Sequence, residues 1–118
     1  MAKKKAVKKS SRKTMPTTHK KGRYEGAEFV FYNDTTTLPQ RGTVLIRDDA
    51  MVLEIPEQDG LPHALILGTP QSHYFRGKNT SRERNAVPVD ARWADVGNMF
   101  VGSWQDDAYD LIFYFQLP

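Results

Sequence analysis

The stretch Leu111-Ile112-Phe113-Tyr114-Phe115-Gln116-Leu117 decides the fold. Leu111, Phe113, Phe115 and Leu117 alternate with Ile112, Tyr114 and Gln116. A period of two sends successive side chains to opposite faces of a strand. Aromatic and β-branched residues also favour a pleated, half-buried surface. The first set is therefore expected to point into a core.

The same period runs backward through the chain. Phe100, Gly102 and Trp104 alternate with Met99, Val101 and Ser103, and Asp106-Asp107-Ala108 turns this run into the last one. Val87, Val89, Ala91 and Trp93 alternate with Pro88, Asp90 and Arg92. Pro88 lacks a donor for a ladder and assigns that run to a sheet edge. A short helix from Asp90 to Gly97 is the competing reading. Further back come His73–Lys78, with Phe75 opposed to Tyr74, Arg76 and Lys78, and the short apolar run Ala64–Leu67. Met51, Leu53 and Ile55 share one face, and Val44 and Ile46 another. Asp48-Asp49 between those two runs reads as a tight hairpin turn. Phe29 and Phe31 open the series, followed by a turn region over residues 33–39 that is rich in Asn, Asp and Thr. Up to eight short strands at hairpin spacing, with no long amphipathic helix, predict an all-β fold: a small antiparallel barrel or sandwich.

Charge divides the 118-residue chain near Lys21. Residues 1–23 carry ten Lys and Arg and no acid, whereas residues 24–118 carry the other seven with all 14 acids, a net of −7. The overall +3 averages two opposite objects. Residues 1–21 offer almost nothing to bury, and ordering a residue costs about 1–2 kcal/mol of backbone entropy. They are expected to form a disordered basic tail ahead of a single β domain over 22–118. Such an arm attracts polyanions without regard to sequence. Lys3, Lys4, Lys5, Lys8, Lys9, Arg12, Lys13, Lys20 and Lys21 are its candidate nucleic-acid contacts. A secondary patch is Tyr74, Arg76, Lys78, Arg82 and Arg84, where an aromatic ring beside cations can stack a base while the cations hold phosphates. The bland alternative pairs those cations with acids on the next strand.

Chemistry beyond this is sparse. The absence of cysteine excludes disulfides, thiolate metal sites and cysteine nucleophiles. His63 and His73 with Asp90 or Asp95 lack tight metal-ligand spacing. Asp106, Asp107 and Asp110 do not match a calcium loop. No nucleophile elbow or phosphate-binding glycine loop occurs. No metal or cofactor is called for. No run approaches the ~20 apolar residues of a membrane span, and no hydrophobic region of a secretory signal follows the basic start. The expected location is the cytoplasm.

The leading expectation is a non-catalytic binding module whose basic arm attaches to nucleic acid or another polyanion. The acidic domain could then take a basic protein partner. The alternative is a barrel that holds a small apolar or amphipathic ligand, in a cavity lined by Phe29, Phe31, Trp93, Trp104, Phe113 and Phe115 and open at one mouth. A third class is an enzyme whose polar groups converge from scattered positions.

Overall fold

Eight antiparallel strands follow one another around a closed barrel: β1 (Gly22–Tyr32), β2 (Thr37–Ile46), β3 (Met51–Ile55), β4 (Ala64–Pro70), β5 (Phe75–Asn79), β6 (Val89–Asp95), β7 (Phe100–Asp106) and β8 (Asp110–Gln116). β8 closes the ring on β1, with Phe29 opposite Phe115 and Phe31 opposite Phe113. The computed structural model describes residues 15–33, 37–57, 63–81 and 87–118. Among them there is no helix, hence none long and apolar enough to cross a membrane.

The expected alternation is realised on every strand. Phe29, Phe31, Val44, Ile46, Met51, Leu53, Ile55, Phe75, Phe100, Trp104, Phe113 and Phe115 are all buried. Residues 89–95 are strand rather than helix, and Val89, Ala91 and Trp93 face inward. Pro88 does not mark a sheet edge. Closure leaves no edge, and the proline lies just before β6, where no ladder bond is asked of it.

β1 starts seven residues before Phe29 and carries a bulge. Gly26 has φ +84°, a conformation glycine reaches without strain, and the pairing with β2 shifts between Glu25 and Ala27. The inward phase changes there from Tyr24 to Ala27, Phe29 and Phe31. That one-residue change of parity hides the first half of the strand from a search for alternation.

Aromatic rings fill the barrel along its length. Phe100 stacks on Phe115 with centroids 4.7 Å apart, and Phe115 on Phe29 at 4.9 Å. Phe113 follows at 6.0 Å from Phe115, and Phe31 and Trp104 meet edge to face at 5.1 Å. Trp93 sits across this column, 6.2 Å from both Phe113 and Phe115. Its ring occupies a notch formed by the paired glycines Gly68 and Gly77, where a Cβ at either position would strike the indole. The indole N–H donates to Met51 Sδ at 3.2 Å, so the buried donor is satisfied.

Phe113 has no exposed surface and touches the column on several sides. Phe113→Ala is expected to cost about 3–5 kcal/mol in denaturant unfolding, a large part of a domain's stability. Tyr114→Ala, one residue along on the outer face, should cost far less. Equal losses at the two positions would refute the inward assignment.

Candidate functional site

An up-and-down barrel gathers alternate connections at each end. At one end the turns 47–50, 71–74 and 96–99 are all tight. Arg47, Gln71 and Val96 donate their backbone N–H to the carbonyls of Ala50, Tyr74 and Met99. The connections at the other end are 33–36, 56–63, 80–88 and 107–109, including the two longest in the domain. This second end is the mouth.

A pocket of about 270 Å³ opens at the mouth. Phe31, Leu38, Ile55, Ala64, Val87, Val89, Trp104 and Leu111 give it apolar walls, with Ala108 and Tyr109 at the β7–β8 turn. Asn33, Gln40, His63, Asn79 and Asp106 bring polar atoms to it. Of the six aromatics expected to line a cavity, only Phe31 and Trp104 do so. Phe29, Trp93, Phe113 and Phe115 pack against other rings and fill the middle. The cavity is therefore a cup above an aromatic floor, not a hollow axis.

Several of these polar groups are engaged by the protein itself. Asp106 accepts from the Trp104 indole N–H at 2.9 Å and from the backbone N–H groups of Ala108 and Tyr109 at 2.8 and 2.7 Å. Asn79 accepts from the Ser81 backbone N–H at 2.9 Å and donates to the Val87 carbonyl at 2.7 Å. His63 lies between Glu54 and Ser81, with Nε2 3.2 Å from Glu54 Oε2 and Nδ1 3.3 Å from Ser81 Oγ. Ser81 does not line the pocket, so a molecule held there meets the imidazole and not the hydroxyl.

Gln40 differs from these. It is 7% exposed, it projects inward from β2, and its Oε1 has no hydrogen-bond partner among the described residues. A buried acceptor without a partner costs about 1–3 kcal/mol. Its position was readable in principle. Gln40, Gly42, Val44 and Ile46 share one phase, and Gln40 is the polar member of an otherwise apolar face. The Asn- and Thr-rich run before it reads as turn, and that masks the true start of β2.

The opposite end carries the root of the basic segment. Residues 15–21, expected to belong to a disordered tail, lie against the barrel there. Met15 packs on the core, and the His19 ring lies 5.0 Å from Phe100. Asp95, at the end of β6, anchors this strap. Its carboxylate accepts from Thr17 Oγ1 at 2.8 Å and from the Gly97 backbone N–H at 3.0 Å, with His19 Nδ1 at 3.1 Å. A tail with few apolar residues can order locally when a half-buried carboxylate offers it several hydrogen bonds. Burial pushes the Asp95 carboxyl up, but the bonds from Thr17, Gly97 and His19 together outweigh it and hold the group below the usual carboxylate range.

The sequence-derived contacts separate on this frame. Lys20 and Lys21 are exposed beside the strap, and Lys21 pairs with Asp48. Lys3, Lys4, Lys5, Lys8, Lys9, Arg12 and Lys13 lie outside the described residues, as do Arg82 and Arg84. Tyr74 falls in the turn before β5. Arg76 makes a two-pronged contact with Asp90 across the strand pair, both N···O distances being 3.2 Å. That fork, above all, holds the Asp90 carboxyl below its ordinary range. Lys78 is exposed. His63 and His73 stand at opposite ends of β4. Among the described residues, no three His, Asp or Glu side chains gather as a metal site.

Comparison of the chain with family models, with curated proteins and with solved structures gives no match.

Removing the anchor should loosen the strap. Asp95→Ala is expected to cost about 1–3 kcal/mol at neutral pH, as for a hydrogen-bonded buried carboxylate. A folded-state pKa below the unfolded one gives stability that is full above the unfolded value and is lost as pH falls through the folded value. The gap between wild type and variant should therefore close as pH drops below about 3.9. Unfolding curves across the acid range check this.

Proposed function

We propose that this chain is a non-catalytic barrel that holds a small, largely apolar ligand in the cup at its mouth. The observation that carries the reading is the cup itself: a concave, mainly apolar pocket on a packed aromatic floor, with one buried polar atom left unsatisfied among the described residues. Pockets of roughly 300–1,000 Å³ with a few placed polar groups are the usual form of a small-molecule site. At about 270 Å³ this one suits a compact, one- or two-ring body. The enzyme reading draws less support. The Glu54–His63–Ser81 chain resembles a relay, but its hydroxyl stands outside the pocket.

A chemical-shift titration with uncharged one- and two-ring aromatics tests the reading. Saturable shifts are expected at Phe31, Ala64, Val89 and Leu111. Ala64→Phe, or Ala108→Trp at the rim, should fill the cup and weaken binding by about tenfold or more, a loss of ~1.4 kcal/mol or greater. Shifts that spread over the surface without saturating would refute it, as would unchanged affinity in both variants.

The charge of the N-terminal segment supports a second, separable role, attachment to a polyanion. Seven of its cations lie in residues 1–14, ahead of the strap. On the barrel, Arg23, Arg41, Arg47 and Arg76 lie within ion-pair distance of acids while Lys78 and Arg92 are exposed, so the densest run of cations is the arm's. Each phosphate neutralised on duplex DNA adds about 0.9 to the salt slope. Deleting residues 1–14 is expected to abolish oligonucleotide binding while leaving the pocket titration unchanged, because the arm leaves from the opposite end. Undiminished oligonucleotide affinity in the truncated chain would relocate the site to the Tyr74–Arg84 stretch.

A further inference from the structure

Gln40 is the one residue whose buried side chain carries an unpartnered polar atom among the described residues, and it lines the cup. Resting on the small-ligand reading of that cup, we infer that the bound molecule presents an N–H or O–H donor to the Gln40 carbonyl oxygen. The ligand class is thus a compact aromatic or aliphatic ring compound bearing a hydrogen-bond donor, in preference to a pure hydrocarbon or an acceptor-only ether.

Three features support this. An amide oxygen accepts and cannot donate, so the only partner that satisfies it is a donor. The neighbouring polar groups are already occupied: Asp106 by Trp104 and its own turn, Asn79 by Ser81 and Val87, His63 by Glu54 and Ser81. Among the described residues, Gln40 Oε1 is thus the one buried side-chain polar atom at the cup that lacks a partner. Gln40 also stands in the phase of Gly42, Val44 and Ile46, where an apolar side chain would satisfy packing alone. Its Oε1 is closed to solvent in the free protein, so a bound donor reaches it only as the terminal amide turns about its soft torsion toward the cup. A donor arriving there gives the oxygen the partner it lacks.

The probes are indole and benzofuran, two-ring bodies of the same shape that differ in carrying an N–H donor or a ring oxygen. Both are titrated by NMR into the full chain and into Gln40→Leu. Wild type should bind indole several-fold to about tenfold more tightly than benzofuran. Gln40→Leu should lose that preference while keeping or improving its affinity for benzofuran. The same variant should unfold at a higher denaturant concentration than wild type, because its apolar side chain leaves no unsatisfied oxygen. Equal affinity of the two probes in wild type, or a preference for benzofuran, overturns the inference and leaves the pocket reading standing. A lower unfolding midpoint in Gln40→Leu also overturns it, since it would mean that Oε1 is satisfied in the free protein. Failure of both probes to bind wild type removes the pocket reading together with the inference.

Discussion

The seating of Trp93 over the Gly68–Gly77 pair is the constraint on which the rest of the barrel depends. Eight short strands enclose little volume, and one indole takes much of it. The ring fits only because two adjacent strands present no side chain beneath it. Its N–H is satisfied inside, by the Met51 thioether, so the largest buried side chain leaves no polar group uncompensated. Phe75 stacks on one side of it at 5.6 Å, and Phe113 and Phe115 meet it edge to face. Large aromatics bury roughly 150–250 Å² each, and such geometries add to that burial. The barrel is closed around this cluster by β1–β8 pairing, with Phe29 and Phe31 set directly opposite Phe115 and Phe113.

That packing decides where a cavity can form. A filled middle leaves two ends, and they are built differently. One end is shut by tight turns and by the strap that Asp95 holds against Phe100. The other ends in Phe31 and Trp104, above which the walls diverge into the cup. The column thus forms the floor of the pocket and the wall behind the strap at once. The cup and the root of the basic segment lie at opposite ends of one barrel.

The charges on the outer surface follow a different logic. Arg76 reaches diagonally across β5 and β6 to fork onto Asp90, and Lys21, Arg23, Arg41 and Arg47 each lie beside an acid. Exposed pairs of this kind contribute little stability, typically ~0–1 kcal/mol. Their consequence is electrostatic: they keep these cations from forming a single basic face. The acidic balance of the domain and the basic balance of the segment before it therefore remain distinct.

The architecture was legible from alternation because a strand's two faces see different solvents, and a period of two records that difference residue by residue. Phe113 and Phe115, Phe100 and Trp104, and Met51, Leu53 and Ile55 could all be placed inside without coordinates. So could the turns at Asp48-Asp49 and Asp106-Asp107. Alternation fails where parity changes or where a polar residue holds an inward position. The Gly26 bulge concealed the start of β1, and Gln40 was lost in a run that reads as turn. Closure was also beyond it: that β8 pairs with β1, and that Pro88 borders no edge, are properties of the ring and of no local segment. The cup, the Asp95 anchor and the His63 chain all join residues from strands or segments distant in sequence. Charge and periodicity are local sums along the chain and determined the class of fold. A site is a coincidence of remote residues in space, and only tertiary packing decides it.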